Sequence, residues 1–274
     1  MAETDEILRW GAALAAGGLA AGFLSGLFGV GGGILRVPLF LWLFPFFGWE
    51  GPMLMHLAAG TSLAIAIPST LGPARAHARE GRLVRPQLRI WIPAVVAGVV
   101  LGVSLQHLSP GPVVVLVFGV VMGLVGLEMI FLADKLRRTQ PIGAGSVLGA
   151  VAFGVGALGS FVGVTGGAFS TPALTALGVP IHRAIALSAA GGVAISVVAA
   201  VGSILTGWGN PHLPPFSLGY VNLFVVAVMT PFVLVSARVG VRVAARLPER
   251  RLQIIFGVFL LFVSADMVRQ YLAG

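Results

Sequence analysis

The sequence predicts an all-α integral membrane protein made of two inverted repeats of about five apolar segments each, with broken or re-entrant half-helices at two glycine motifs. Three observations carry that expectation. First, 57% of the 274 residues are hydrophobic, 9% are charged and the mean hydropathy is +1.00. A soluble globule of that balance would lack the polar atoms to cover its surface. Second, turn signals and charges divide the chain into about ten apolar segments. Third, one glycine-rich stretch occurs twice, at corresponding places in the two halves.

In chain order the segments run roughly 7–28, 34–48, 57–74, 90–107 and 113–133, then 142–162, 168–178, 183–205, 217–237 and 252–271. The first follows the acidic stretch Met1-Ala2-Glu3-Thr4-Asp5-Glu6. A signal peptide needs positive charge there, so this segment is expected to stay in the mature protein. The second and seventh each follow a glycine run and are short of the ~20 apolar residues that a helical crossing needs. Half-helices or re-entrant elements are expected at both.

The repeated stretch reads Gly29-Val30-Gly31-Gly32-Gly33-Ile34-Leu35-Arg36-Val37-Pro38 and returns as Gly163-Val164-Thr165-Gly166-Gly167-Ala168-Phe169-Ser170-Thr171-Pro172. Each glycine run breaks an apolar segment, and a proline, Pro38 or Pro172, stands five residues after its last glycine. Such a break is tolerable in lipid only where protein or a water-filled cavity satisfies the freed backbone groups. A binding site is the simplest account. Other matches keep the same order: His56, Ala58 and Ser62 fall on His182, Ala184 and Ser188 at an offset of 126, and Gly102, Glu128 and Met129 on Gly240, Asp266 and Met267 at 138. The units are therefore residues 7–133 and 142–271, joined by a cytoplasmic linker at 134–141.

Charge sets the orientation. Loop 75–89 carries Arg75, Arg79, Arg82, Arg85 and Arg89 against Glu80, whereas its counterpart 207–216 carries no charge. Loop 238–251 carries Arg238, Arg242, Arg246, Arg250 and Arg251 against Glu249, and its counterpart near 100–112 carries none. Positive loops stay cytoplasmic, so equivalent loops lie on opposite sides and the repeats are inverted. Both termini are then expected outside. The net charge of +8 is accounted for by these loops, which argues against a nucleic-acid partner. The absence of Cys excludes thiolate metal sites and disulfides, and neither a metal nor another cofactor is expected.

The Gly-x-Gly-Gly-Gly run with its following proline, its degenerate second copy and the Ala-rich stretch bearing Thr61-Ser62, matched by Ser188, resemble the sulfite exporter TauE/SafE family. The resemblance spans about residues 11–271. It implies a multi-pass carrier of the bacterial-type plasma (inner) membrane, moving sulfite, a sulfonate or a related sulfur-containing anion. Two positions depart from the family pattern. Arg36 stands where an apolar residue is usual, and Thr165 replaces the first glycine of the second triplet.

Glycine-run N–H groups that open a helix form an anion site, because the first four donors have no intrahelical partner and the helix dipole is positive there. The candidate substrate-binding residues are Gly29, Gly31, Gly32, Gly33, Arg36, Thr61 and Ser62 in the first half. In the second they are Gly163, Thr165, Gly166, Gly167, Ser170, Thr171 and Ser188. The competing account of glycine is close helix packing, and it is preferred for Gly22/Gly26, Gly98/Gly102 and Gly119/Gly123. Arg36 is either a buried anion partner or a side chain that snorkels to the interface. Any of the hydroxyls could instead bond back to its own helix.

Glu128 and Asp266 are an aligned carboxylate pair that could carry a coupling proton, although positions near segment ends suit solvated interface residues better. Coupling to a proton or to sodium, and assembly into an oligomer, are both left open. His56 and His182 match and fall in polar turns, where a pH-sensing role is conceivable. An anion channel of the same architecture is the main rival function. An intramembrane hydrolase is the other, suggested by Ser25-Gly26, but Phe23 occupies the place of the small residue expected two positions before the nucleophile and no His-Glu-x-x-His pattern exists. The protein is therefore expected to be a transporter and not an enzyme.

Overall fold

The structure is a computed structural model and describes residues 2–28, 32–132 and 145–273. Gly29, Gly31 and the linker 134–141 lie outside the described residues. Among the described residues ten α-helices follow in order: α1 (Ala2–Phe28), α2 (Gly33–Phe46), α3 (Leu54–Arg79), α4 (Arg85–Leu108), α5 (Gly111–Leu127), α6 (Gly145–Phe161), α7 (Gly167–Ala176), α8 (Ile181–Thr206), α9 (Leu223–Ala244) and α10 (Glu249–Ala273). Among the described residues eight of them are long and apolar enough to cross a membrane. The exceptions are α2, with 14 residues, and α7, with 10. At 1.5 Å per residue these reach about 21 and about 15 Å, against a hydrocarbon core about 30 Å thick. The protein is thus an all-α, multi-pass membrane protein with two short helices placed where the glycine runs stand.

Helix boundaries depart from the apolar segments in three places. Charged side chains do not end a helix, so α3 continues through Arg75 to Arg79 and stops only before Gly81, whose φ is +68°. The connection to α4 shrinks to 80–84, and likewise α9 and α10 leave only 245–248 between them. The segment expected from 217 begins instead with a two-stranded hairpin, β1 (Ser217–Leu218) against β2 (Val221–Asn222). Asn222 then starts α9: its Oδ1 accepts the Val225 N–H, and its Nδ2 donates to Pro215 O and Ser217 Oγ. Finally, α5 ends in a π-helical turn (Glu128–Leu132), where Arg250 donates from Nη1 to Met129 O and from Nη2 to Ile130 O.

Packing follows a reciprocal scheme. α1 lies on α9 and α4 on α6; α3 pairs with α8 and α5 with α10; α2 rests on α3 and α7 on α8. The same contacts recur with the halves exchanged. Gly22 lies on Val233 and Gly156 on Val95, while Gly102 lies on Ala157 and Gly240 on Phe23. α1 runs parallel to α9, since Gly22 and Gly26 meet Val233 and Ala237 in turn. α3 and α8 are antiparallel, with Gly60 facing Ser203 and Thr70 facing Ser196. α5 and α10 are antiparallel too, with Gly119 beside Met267 and Gly126 beside Leu260.

The small-residue pairs do the packing expected of them: a Cβ on Gly22, Gly26, Gly98 or Gly102 would run into the backbone of the facing helix. α3 and α8 form the centre, burying 61% and 56% of their spans against 28% to 33% for the other six. One apolar cluster wraps α2 through Ile34, Val37, Phe40 and Phe44, and a second gathers Leu63, Trp91, Val95 and Val155 around Leu174 of α7.

Candidate anion site at the two glycine motifs

Both short helices begin in the same way. Gly32 (φ +71°) caps α2 and Gly166 (φ +75°) caps α7, each in the left-handed region that side chains disfavour. The Leu35 and Arg36 N–H groups both donate to Gly32 O, and those of Phe169 and Ser170 to Gly166 O. The first two N–H groups of each helix, on Gly33 and Ile34 and on Gly167 and Ala168, precede any carbonyl the helix could offer them. Pro38 and Pro172 lie inside these helices, so the carbonyls of Ile34 and Ala168 lose their usual donor one turn farther on.

The structure brings the two motifs into contact. A Cβ on Gly33 would stand 2.9 Å from Val164 Cα and 3.0 Å from Gly163 O, so glycine at 33 lets one motif rest directly on the backbone of the other. Gly163 (φ +77°) presses in turn on Ala59 of α3. Ser62 Oγ, one turn along α3, donates to Gly163 O at 3.1 Å and pins the loop. Farther down, Thr165 lies against Gly192 of α8, and Gly166 against Ile195 and Val155.

Arg36 is 1% exposed and sits in the second turn of α2. Its Nη1 lies 2.9 Å from the point where a Gly32 Cβ would be, and Ser25 Oγ lies 3.0 Å from the same point. The guanidinium therefore folds back over the start of its own helix, where fixed charge and helix dipole have the same sign. The matched position in α7 is Ser170. No Asp or Glu belongs to the buried polar set among the described residues.

The remaining expected residues divide. Ser170 Oγ donates to Gly166 O and lies 3.1 Å from Ser188 Oγ, so these two hydroxyls are bound into the α7–α8 contact. Thr61 Oγ1 accepts the Asn222 N–H at 3.0 Å, which ties it to the start of α9. Thr171 is half-buried on α7. Glu128 and Asp266 are not brought together: Met267, the neighbour of Asp266, packs on Gly119 of α5, nine residues before Glu128 and about 13 Å away along the helix axis. Asp266 is also held, accepting from Trp42 Nε1, Arg269 Nη2 and Gln270 Nε2, each at 2.9 Å. Neither histidine lies in a polar turn: His182 is exposed in the first turn of α8, and His56 is buried in the first turn of α3 with Nε2 2.8 Å from Gln106 O. Gln106 Nε2 donates onward to Phe161 O just before the second motif. Sequence reasoning missed Gln106 of α4, Ser160 of α6, Thr70 of α3 and Ser196 of α8, all buried, because isolated polar residues in long apolar runs carry no local pattern.

Comparison with known proteins agrees with this architecture. The family described as sulfite exporter TauE/SafE matches residues 14–267. The chain is 32% identical over 253 residues to a probable membrane transporter protein of Haemophilus influenzae, covering 91% of this chain and 95% of that one. It is 24% identical over 257 residues to a probable membrane transporter protein of Methanocaldococcus jannaschii, covering 90% and 92%. A probable membrane transporter protein of Xylella fastidiosa is 34% identical over 169 residues, covering 59% and 60%. No solved structure matches the chain.

Proposed function

Because the chain belongs to the sulfite exporter TauE/SafE family, we propose that it is a secondary transporter of a small anion, sulfite, a sulfonate or a related sulfur-containing oxyanion, working by alternating access around the two glycine motifs. One observation carries the reading. Two short helices start at left-handed glycines, their motifs touch backbone to backbone, and a buried arginine lies over one of the two helix starts. An oxyanion there would receive backbone N–H groups and a planar guanidinium, both suited to it. The burial of Arg36 favours the anion-partner role over snorkelling to the interface.

The reciprocal packing supports inverted repeats. Antiparallel α3/α8 and α5/α10 pairs, together with parallel α1/α9 and α4/α6 pairs, are what five-element units of opposite orientation would give. Rocking of the halves around the point where the motifs meet would expose it to either side in turn. In this reading the arginines at the helix ends favour a cytoplasmic position for the connections 80–84 and 245–248 in a bacterial-type inner membrane, with both termini outside.

The test is transport in proteoliposomes, with labelled sulfite as probe and sulfate, a small sulfonate and acetate as competitors. Saturable uptake with counterflow, competed by the sulfur oxyanions, is the expected result. Uptake that never saturates and shows no counterflow would identify a channel. No anion movement at all would refute the reading.

A further inference from the structure

We propose that His56 is a proton-binding site, loaded from the external face, whose proton raises the affinity of the glycine motifs for the transported anion; this deepens the anion-carrier reading above and rests on it. Among the described residues the buried polar set holds two side chains that can carry charge near neutral pH, Arg36 and His56. Arginine keeps its proton, whereas histidine exchanges one in this range. The two carboxylates matched between the halves are placed otherwise: Glu128 is half-buried in the π-helical turn and Asp266 is held by three donors. The 2.8 Å contact of His56 Nε2 with Gln106 O requires that nitrogen to donate, since a carbonyl can only accept. Nδ1 is then the lone-pair nitrogen of a neutral ring, the atom on which a proton would bind. It has no hydrogen-bond partner among the described residues, so no neighbouring donor competes with a proton for it.

A proton has a route to this ring. Met53 and Leu57, which flank His56 at the start of α3, line a cavity of about 290 Å³ closed on its far side by the connection 211–215, external in the topology above. Tyr220 of the hairpin touches the cavity wall and the imidazole at once: its hydroxyl donates to Met53 Sδ at 3.3 Å and its ring lies 5.2 Å from that of His56. Displacement of this one side chain would join His56 to the cavity. The titratable groups nearby are His107 of α4, its ring 6.3 Å from that of Tyr220, and Glu50 and His212 on the cavity wall, all three exposed. No carboxylate is buried beside His56 among the described residues. An imidazolium held there lacks a countercharge from the protein, so an anion at the motifs is the charge that offsets it. Ser62, six residues on and about 9 Å along the axis of α3, donates to Gly163 O and lies 3.5 Å from the point a Gly33 Cβ would occupy, where the motifs meet. Opposite charges at about that separation, partly screened, change affinity about tenfold. Gln106 adds a mechanical link, since its Nε2 donates to Phe161 O at the end of α6, just before Gly163.

The test uses the full-length protein in nanodiscs with 15N-labelled histidine. Its five histidines give five sets of imidazole signals, and loss of one in His56→Gln assigns His56. That signal should titrate between about pH 5 and 8. Transport is then read in proteoliposomes with a small sulfonate, whose own charge is constant over this range. In wild type the KM for the sulfonate should fall about tenfold as pH drops through the His56 titration, because the protonated ring is the one that attracts the anion. His56→Gln, which keeps a donor for Gln106 O, should show a KM that no longer changes with pH. Where that variant fails to fold, a protein with the other four histidines replaced, none of them buried, leaves His56 as the sole imidazole and should keep both the signal and the pH dependence. A His56 signal that does not titrate, a wild-type KM constant with pH, or a pH profile that survives in His56→Gln overturns the proposal while sulfonate transport itself stands. No anion transport at any pH refutes the carrier reading, and the control of affinity with it, whatever the His56 signal does.

Discussion

Gly32→Ala is the most informative single change, because two separable effects are built into that position. The left-handed backbone, φ +71°, costs an L-residue about 1–2 kcal/mol wherever it occurs. Gly166, at φ +75°, would suffer the same cost on mutation to alanine. The surroundings differ. An added methyl at 166 meets the ends of two apolar side chains, Val155 Cγ1 at 2.8 Å and Ile195 Cδ1 at 3.1 Å. At 32 it meets Arg36 Nη1 at 2.9 Å and Ser25 Oγ at 3.0 Å, so the guanidinium must move by about half an ångström to restore ordinary contact. Charge-assisted hydrogen bonds are worth about 1.5–3 kcal/mol, which places the loss of sulfite affinity from a misplaced guanidinium at about tenfold to a hundredfold. Both alanine variants should therefore unfold at similarly lowered temperatures, while Gly32→Ala loses the more affinity. A double-mutant cycle with Arg36→Ala, read as sulfite affinity in counterflow, isolates the effect. Once Arg36 is gone, Gly32→Ala should add little further loss. Fully additive losses in the cycle would refute the claim that the Gly32 side acts through Arg36.

Arg36→Lys should keep part of the sulfite affinity and Arg36→Ala less, because lysine retains charge without the planar fork; wild-type affinity in the alanine variant would end the argument for this residue. Gly32→Val and Gly166→Val should each abolish sulfite binding while the protein still inserts into the membrane, measured by binding and by membrane fractionation of the same cells; binding that survives in either one removes that triplet from the site. A single cysteine at position 212 should be labelled from outside intact cells and one at position 80 should not, and the reverse pattern would invert the assigned topology. Asn222→Ala should lower the thermal unfolding temperature through loss of the Val225 cap, worth about 1 kcal/mol, and of the tie to Pro215, with no preference for one substrate anion over another.

The short helices were legible because their signals are local: glycine frees the backbone, and the length between the glycine run and the next turn is countable. Packing glycines were legible for the same reason, through their four-residue spacing. Helix ends near arginines were misjudged because charge marks membrane depth while Gly81 decides where α3 stops. The hairpin before α9 could not be read from two-residue strands. His56 looked like a turn residue because its partner, Gln106, is 50 positions away. The same holds for the packing of Trp91, one aromatic ring in an apolar helix that lies against Gly191, a hundred residues later. Of the site, then, the backbone elements could be read from sequence, whereas the side-chain partners depend on tertiary contacts.

Arg36 and Ser170 occupy the same rung of two matching helices, and only one of them is charged. If the halves exchange roles during transport, a scaffold with equal contacts in both would have two end states of equal energy, and the empty carrier would dwell equally in each. A lone guanidinium lifts that degeneracy. It moves with one half only, so the dielectric around it differs between the two end states, and its desolvation cost differs with them. The resting bias of the carrier would then be set by a single side chain, and neutralising it should redistribute the empty protein between its two faces even where no anion is present.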